Sequence, residues 1–369
     1  MDRFVNSDKR TIVVNASALR SGGALTILRQ FVSEIPQDNF EYLIFVDESV
    51  SFSALKKNIQ IVKVSTRSFI RRFIWDAMGL NNWIKRNHIH PLAAISLQNT
   101  NFRLNERCPN FIYYHQPLPF YKNKWSLFRQ KERSLWFYKY IYPFFVNLFI
   151  NSRTEIFVQL EFIRNGFAER FSFDKNKIHV VFPNLEIPQP VPNPKIQIDK
   201  EAINLFYPAA SIIYKNHQVL IDSLSVIDKD LKPDVVLYLT IGKDELKIND
   251  VYKNIRIVFL GKITHEQVVW LYEQVDALVF PSYVETLGLP LIEAASLGLH
   301  VIASDLAYSR EVLEGYQGVT YVPYNNANEW SRKIEEICSD KNRRFEPFTR
   351  RGNKSWKDFF AIIKNSIEK

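Results

Sequence analysis

The stretch that decides the fold is ALVFPSYVETLGLPLIEAASLGLHVIASD, residues 277–305. Its pattern predicts a strand, a loop, a short helix, a turn and a second strand, because Pro290 suits the first helical position and Gly298 suits the helix end. The loop then leads from the carboxyl end of a strand into a helix N-terminus. In an open α/β sheet ligands bind at this point, where free N–H groups favour a phosphate or a sugar hydroxyl.

Two carboxylates flank this predicted ligand crevice. Glu285 lies in the loop, and Glu293 lies about one turn into a helix that is otherwise mostly apolar. A buried carboxylate needs hydrogen-bond donors, which ribose hydroxyls would supply. The helix dipole alone also favours a carboxylate near a helix start, so Glu293 by itself has a purely structural interpretation as well. Between the two, Gly288 allows close approach of the backbone to a ligand.

The rest of the chain repeats this alternation of short apolar runs and amphipathic helical stretches, which is typical of parallel α/β sheets. A chain of 369 residues suits two domains, and five prolines between residues 183 and 194 indicate a linker. The predicted parts are a first Rossmann-like domain over residues 1–188, a linker over 189–200, a second Rossmann-like domain over 201–345, and a C-terminal helix over 346–369 that returns to the first domain.

The whole string of residues 277–305 resembles the E-x7-E segment of the retaining family 4 glycosyltransferases of GT-B fold, with Glu285 and Glu293 at its ends. The resemblance implies an α/β protein whose two Rossmann-like domains carry parallel sheets facing across a cleft, with the C-terminal helix packing back on the N-terminal domain. It also implies that Glu285 orients a donor sugar and that Glu293 holds the ribose. The donor-binding residues implied in this segment are Thr286, Leu287, Gly288, Leu289 and Glu293.

Two segments of the first half are similar to other parts of that family. NASALRSGGALTIL, residues 15–28, resembles its glycine-rich first loop, which would place Gly22 and Gly23 against an acceptor or a phosphate. FIYYHQPLPF, residues 111–120, resembles the segment whose histidine lies beside the donor sugar, here His115. Without the resemblance, a glycine pair favours a tight turn and a lone histidine is usually structural.

A segment of the second half, FYPAASIIYKNH over residues 206–217, resembles the one that contacts the donor diphosphate. Lys215 matches its lysine. The usual arginine is missing, because Ala209 and Ala210 occupy this region, and Ser211 is a candidate replacement. Alone, Lys215 has the ordinary interpretation of a solvated surface lysine.

The resemblance implies a retaining, metal-independent hexosyl- or glycosyltransferase that uses a UDP- or GDP-linked sugar as substrate and needs no cofactor. Lys215 and the helix N-terminus would stabilise the negative charge that grows on the leaving diphosphate. Asp228 and Asp230 formally match a metal-binding motif of another glycosyltransferase fold, but they lie in a polar connection, and we predict no metal site. Cys108 and Cys338 form neither a disulfide framework nor a zinc motif.

The acceptor side is predicted from composition. Residues 66–86 and 120–150 interleave aromatic side chains with lysines and arginines, which suits an anionic membrane surface, although part of these rings must be core. The most apolar stretch, residues 141–150, is interrupted by Pro143 and Asn147 and is too short to span a bilayer. We therefore expect a cytoplasmic, peripheral protein on the inner face of the cytoplasmic membrane, acting on a polyprenyl-diphosphate-linked glycan in surface polysaccharide or O-antigen assembly.

Other functions fit parts of the same sequence. A formal charge of +9 favours anionic partners of any kind, but no nucleic-acid-binding module accompanies it, and we expect no nucleic acid partner. A nucleotide-sugar epimerase of the same fold would leave the basic aromatic segments unexplained. A catalytically silent nucleotide-sugar-binding partner stays open, because the missing arginine is a loss that such a protein could show. The donor base, the linkage and the oligomeric state stay open as well.

Overall fold

The computed structural model describes residues 10–104, 107–184, 186–228, 230–246, 254–350 and 354–368. Residues 1–9 lie outside these ranges. The chain divides into two compact units, of which the first comprises Met1–Asn184 with Asn353–Lys369 and the second comprises Leu185–Gly352. We predicted the corresponding boundaries at residues 188 and 345. The proline-rich segment therefore belongs to the second unit, where Val191 N donates to Glu266 O at 3.1 Å.

A parallel sheet forms the centre of the first unit. Its strands are β1 (Arg10–Ala16), β2 (Phe40–Asp47), β3 (Ile59–Val64), β4 (Ala93–Ser96), β5 (Asn110–Tyr113), β6 (Thr154–Val158) and β7 (Ile178–Val180). They pair in the order β3-β2-β1-β4-β5-β6-β7 within the described residues. The central strand β1 is apolar and β-branched over residues 12–14 and buried throughout that run, as expected of a sheet covered on both faces.

The first part of this unit also carries helices, two pairs of which are joined without a break. The helices are α1 (Gly22–Glu34), α2 (Phe69–Ile74), α3 (Leu80–Arg86), α4 (Arg133–Trp136), α5 (Tyr142–Asn147) and α6 (Glu161–Phe171). One π-helical turn at Trp75–Gly79 links α2 to α3, and another at Phe137–Ile141 links α4 to α5. Among the described residues, no helix is both long enough and apolar enough to cross a membrane.

The second unit repeats the architecture. Its strands are β8 (Ile203–Tyr207), β9 (Val235–Leu239), β10 (Ile255–Phe259), β11 (Ala277–Phe280), β12 (His300–Ser304) and β13 (Val319–Val322). Its helices are α7 (His217–Ser225), α8 (His265–Gln274), α9 (Leu289–Ser296), α10 (Ala307–Val312) and α11 (Ala327–Ile337). The strand order is β10-β9-β8-β11-β12-β13, all parallel, so the order of the chain reverses between β8 and β11. The carboxyl ends of these two strands therefore mark the ligand crevice of this sheet.

The remaining helix, α12 (Trp356–Glu368), belongs to the first unit. Trp356, Phe359, Phe360 and Ile363 are buried in the same apolar cluster as Phe31 of α1 and residues of β1, β2 and β5. Ser355 precedes the helix, and its Oγ accepts a hydrogen bond from Lys357 N at 3.3 Å. The predicted pair of Rossmann-like parallel sheets and the predicted return of the C-terminal helix are both confirmed.

The predicted elements agree with the structure best where an apolar run has clear ends. The apolar runs predict strands over residues 203–207 and 277–280, and the amphipathic stretches predict helices over 265–274 and 327–337. The elements β8, β11, α8 and α11 have these bounds. The predicted position of Pro290 at the start of α9 was wrong by one residue, because Gly288 takes a left-handed conformation and the helix already begins at Leu289. The short elements β7, β13 and α10 were missed, since a few partly exposed residues make no periodic pattern.

Candidate functional site

The two loops that follow β8 and β11 meet through an ion pair. Lys215 ends a short 3-10 turn after β8, and its Nζ contacts the carboxylate of Glu285 in the loop after β11. The lysine side chain is 18% exposed and the glutamate side chain 12% exposed. A cation and an anion from different loops thus lie together, partly shielded from water, at the reversal point of the sheet. The two residues are 70 positions apart in the chain.

Hydrogen bonds to backbone carbonyl groups hold these two loops together. Tyr207 Oη at the end of β8 donates to Lys215 O at 2.6 Å. Asn216, with φ of 60°, donates from Nδ2 to Pro281 O at 3.2 Å and to Tyr324 O at 2.7 Å. Tyr283 N donates to Tyr214 O at 2.9 Å. The position of the ion pair is therefore set by bonds that do not involve its own charged atoms.

Two tyrosines beside this ion pair stay neutral. Burial raises the pKa of Tyr207 well above its usual value, and the negative charge of Glu285 raises it further. Burial and Glu285 also raise the pKa of Tyr214, to about 12. The tyrosines therefore bring no second negative charge to the ion pair, and the ammonium group of Lys215 can still attract an anion.

The start of α9 lies on the same loop. Gly288 precedes the helix with φ of 71° and, as a glycine, provides no side-chain cap. A Cβ at this glycine would lie 3.2 Å from Leu291 Cδ1 and 3.3 Å from Tyr308 Cε2, so the site favours glycine by conformation and by space. Leu287 is buried, while Thr286 and Leu289 are half-buried. The predicted donor-binding stretch is thus a tight turn that ends at the start of a helix.

Glu293, further along α9, is buried and contacts two side chains of α8. Its Oε1 lies 2.9 Å from His265 Nε2, and its Oε2 accepts a hydrogen bond from Tyr272 Oη at 3.2 Å. The hydrogen bond to Glu293 raises the pKa of His265. Sequence analysis missed both partners. The available signal was a histidine at the first position of the helix that precedes β11 in the chain.

Ser211 lies on the exposed side of the loop after β8. Its Oγ donates to Glu245 O at 3.4 Å, which links this loop to the one that follows β9. Among the described residues, the structure gives no hydrogen bond between Ser211 and Lys215. Its predicted role as a replacement for the missing arginine stays a prediction.

The aspartates of the predicted polar connection form a local turn. Asp228 Oδ1 accepts a hydrogen bond from Asp230 N at 2.9 Å, and the residue between them lies outside the described ranges. Within those ranges, no group of three His, Cys, Asp or Glu side chains is placed to hold a metal ion. That the protein uses no metal stays a prediction.

The predicted site residues of the first unit lie after β1 and β5. Gly22 begins α1 with φ of 59°, and a Cβ at Gly22 or Gly23 would meet nothing within 4 Å. His115 follows β5, and its N donates to Oδ1 of Asn99 at 2.6 Å, while Asn99 Nδ2 lies 3.4 Å from His115 Nε2. Burial, aided by the charge of Arg72, lowers the pKa of His115 to about 4, so the ring is neutral at physiological pH.

A buried polar network that sequence analysis missed lies beside the glycine-rich loop. Asp76 accepts hydrogen bonds from Asn15 Nδ2 at 2.8 Å and from Gln98 Nε2 at 2.9 Å. Gln98 Oε1 in turn accepts from Ala18 N at 3.1 Å. Burial raises the pKa of Asp76 to about 6, although Arg72 opposes this effect. The helical segment that carries Asp76 is thereby bonded to β1 through Asn15 and, through Gln98, to the loop that follows β1.

Comparison with protein families identifies the second unit. The profile of the family described as "Glycosyl transferases group 1" matches residues 192–352, which is nearly all of this unit. The second unit is a glycosyl transferases group 1 domain. The predicted family resemblance is confirmed, and Lys215, Glu285 and Glu293 all lie inside this group 1 domain.

Curated relatives match over part of their length. The chain is 26% identical over 177 residues to the O-antigen chain mannosyltransferase RfbU of Salmonella typhimurium, which covers 47% of this chain and 48% of the relative. It is 32% identical over 107 residues to a D-inositol 3-phosphate glycosyltransferase of Mycolicibacterium smegmatis, covering 29% of this chain and 23% of the relative. The chain thus spans about half the length of these curated relatives or less.

Solved structures resemble the fold of both units. Sucrose-phosphate synthase from Thermosynechococcus elongatus matches with a TM-score of 0.64 and 14% identity, over 90% of each chain. HepE from Anabaena in complex with UDP-glucose matches with a TM-score of 0.55 and 12% identity, over 97% of this chain and 100% of that one. At these identities the likeness extends to the fold, which is the GT-B type that the sequence predicted.

Proposed function

We propose that this protein is a retaining glycosyltransferase that moves a sugar from a nucleoside-diphosphate sugar to a polyprenyl-diphosphate-linked glycan, in surface polysaccharide or O-antigen assembly. The proposal includes no metal and no cofactor. We place the reaction at the inner face of the cytoplasmic membrane, where such an acceptor would be presented.

The observation that carries the proposal is the ion pair between Lys215 and Glu285, placed at the reversal point of a group 1 domain. An ammonium group offers three hydrogen-bond donors, so Lys215 can hold Glu285 and a phosphate oxygen at the same time. In this arrangement Glu285 orients the donor sugar while Lys215 and the N-terminus of α9 attract the diphosphate. The ion pair would fix the lysine for this task before the donor arrives.

Glu293 serves the nucleoside part of the donor in this proposal. Its two oxygens already contact His265 and Tyr272, but each carboxylate oxygen accepts more than one hydrogen bond. A ribose hydroxyl can therefore add to these bonds without displacing either partner. His265 and Tyr272 would act as positioning residues, since they hold the carboxylate in one orientation.

In the first unit we assign the sugar and acceptor contacts to the residues after β1 and β5. His115 is neutral, so its ring can donate or accept one hydrogen bond to a sugar hydroxyl without bringing a charge. Gly22 and Gly23 leave open space at the start of α1, where an acceptor or a phosphate can approach the backbone.

The names of two similar proteins support the proposed classes of acceptor and donor. RfbU is named an O-antigen chain mannosyltransferase, which supports a glycan acceptor of a surface polysaccharide. HepE has been solved in complex with UDP-glucose, which supports a nucleotide-linked sugar as donor. We propose the same classes of substrate here, with either UDP or GDP as the leaving group.

A donor screen tests the proposal. The purified protein is incubated with a polyprenyl-diphosphate glycan and a panel of UDP-, GDP- and dTDP-sugars, and the released nucleoside diphosphate and the mass of the glycan are measured. We expect one donor to yield a product heavier by one sugar, with the anomeric configuration of the donor. Glu285→Gln should lower kcat/KM by roughly 100-fold or more, because it removes a charge next to the reacting sugar.

Glu314→Gln is the matched control, since this glutamate of the same unit is exposed and far along the chain from the site. Equal activity of the two variants would contradict the assignment of Glu285. Tight binding of a nucleotide sugar without turnover on any acceptor would favour the silent-partner alternative. That alternative has one observation in its favour, namely Ala209 and Ala210 where the family carries a basic residue.

A further inference from the structure

The exposed apolar side chains of this protein are concentrated in two segments of the first unit. Among the described residues, sixteen large hydrophobic side chains are exposed, and eleven of them lie in residues 66–86 and 120–150. The most exposed are Phe128 at 89%, Ile70 at 70% and Phe144 at 66%. Single exposed apolar residues are ordinary on a protein surface, but a cluster of this kind marks a site of interaction.

The two segments form one surface, because their helices pack against each other through aromatic rings. Phe69 of α2 lies with its ring centroid 5.0 Å from that of Phe145 of α5, and Phe73 lies 5.7 Å from the same ring. Phe145 also contacts Phe144, at 5.5 Å. We define the α2–α5 face by five exposed residues. These are Ile70, Ile74 and Met78 on one helical run and Phe144 and Leu148 on the other.

The hydrogen bonds on the inner side of α2 explain why Ile70, Ile74 and Met78 point outward. Arg72 Nη2 donates to Gln98 O at 2.9 Å, to Thr100 Oγ1 at 3.1 Å and to Tyr142 Oη at 3.1 Å. Asp76, one turn later, belongs to the buried network beside β1 and β4. Arg72 and Asp76 are therefore bonded inside the unit, while Ile70, Ile74 and Met78 are left to the solvent. This is the reverse of an ordinary amphipathic surface helix.

The charged side chains that these two segments expose are all basic. Residues 66–86 and 120–150 contain eleven lysines and arginines and only two acidic residues. The two acidic residues, Asp76 and Glu132, are both buried. The solvent-facing part of these segments is thus apolar and basic, with Arg67, Arg71 and Lys131 exposed. A protein partner would match such a surface only with a patch that is both acidic and apolar. An anionic bilayer offers negative headgroups and apolar acyl chains over its whole surface.

We propose that the α2–α5 face docks on the surface of an anionic phospholipid bilayer. Ile70, Ile74, Met78, Phe144 and Leu148 enter the boundary between headgroups and acyl chains, and the surrounding lysines and arginines contact the lipid phosphates. The proposal deepens the proposed function, since a lipid-linked acceptor would lie in the same bilayer. The docking proposal is argued from the exposed apolar side chains and the basic charge of this face, and it does not depend on the transfer reaction.

Vesicle sedimentation of the full chain tests this docking. Vesicles contain either phosphatidylcholine alone or equal amounts of phosphatidylcholine and phosphatidylglycerol, and no donor sugar is present. We expect binding to the anionic vesicles that weakens as salt is added. The double variant Ile70→Ser, Phe144→Ser should bind roughly tenfold more weakly or worse, because it removes two of the most exposed apolar side chains. The double variant Arg67→Ala, Arg71→Ala should bind anionic vesicles more weakly than the wild type mainly at low salt, because salt screens the charge attraction.

Val191→Ser, Val226→Ser is the matched control, because these valines of the second unit are 48% and 51% exposed and lie outside the face. Each variant is checked by thermal unfolding. Failure to bind anionic vesicles, or equal binding by the control and the Ile70, Phe144 variant, would overturn the proposal. So would a concentration-dependent dimer of the wild type that only this variant abolishes. Vesicle binding without sugar transfer would leave the docking intact and count against the proposed function alone.

Discussion

Glu293 illustrates how a single residue changes meaning when its neighbours are known. In the sequence it was either a ribose ligand or a carboxylate favoured by the helix dipole. In the structure it is 6% exposed, and both oxygens face side chains of α8. A carboxylate this deeply buried needs such partners, because an unpaired charge there would be costly. His265 and Tyr272 thus explain how the charge is tolerated before any ligand binds.

The first prediction concerns the pH dependence of this contact. The pKa of His265 is raised above 6.5 by Glu293, so the charged contact is fully formed below that pH and is lost as the pH rises through the raised pKa. Glu266 and Tyr272 are the other titratable groups near the contact. We expect the difference in Tm between wild type and His265→Gln to be largest in mildly acidic buffer and to shrink in alkaline buffer.

Thermal unfolding of both proteins across a series of buffers of equal ionic strength measures this difference. Glu273→Gln serves as the control, since this carboxylate near the other end of α8 is exposed. A difference in Tm for His265→Gln that stays constant with pH would contradict an ionised contact between His265 and Glu293.

At the scale of elements, the start of α9 decides where the candidate site can form. Gly288 holds the left-handed turn that directs the helix toward the carboxyl end of β11. Gly298, with φ of 70°, ends the helix and returns the chain to β12, and a Cβ there would collide with Phe345 O. The helix between them is short, so its direction depends on these two turns more than on helix propensity.

The second prediction separates backbone strain from crowding at Gly288. Gly288→Ala forces a Cβ into a left-handed conformation, which costs about 1–2 kcal/mol, and brings it against Leu291 and Tyr308 as well. Gly261→Ala is the matched control, because Gly261 has φ of 62° and open space around a Cβ. We expect Gly288→Ala to lower the free energy of unfolding more than the control does, as measured by urea unfolding. Equal losses of unfolding free energy in the two variants would mean that Leu291 and Tyr308 move aside. Only the backbone conformation would then require glycine at position 288.

At the scale of the whole molecule, the chain leaves the first unit near residue 184 and returns to it for its final helix. The aromatic side of α12 fills the centre of that unit. Phe359 lies with its ring centroid 4.2 Å from that of Phe157 of β6, and Trp356 stacks on Tyr113 of β5 at 5.2 Å. The first unit therefore completes its core only after the second unit has been synthesised.

The third prediction measures the contribution of α12. Phe359 is fully buried, so Phe359→Ala should reduce the free energy of unfolding by about 3–5 kcal/mol. Phe128→Ala, at an exposed phenylalanine of the same unit, should change it by less than about 0.5 kcal/mol. Urea unfolding followed by tryptophan fluorescence gives both values. Similar stability of the two variants would show that α12 is dispensable for the core.

The sequence by itself determined the fold class and the approximate positions of most strands, because apolar periodicity and the conformations of glycine and proline act over a few residues. Only the tertiary structure decided which side chains meet. Lys215 contacts Glu285 across 70 positions, His265 and Tyr272 reach Glu293 from α8, and Asn99 holds His115, since sheet order brings their loops together. The outward direction of Ile70 was also hidden, because it depends on what Arg72 binds inside the unit.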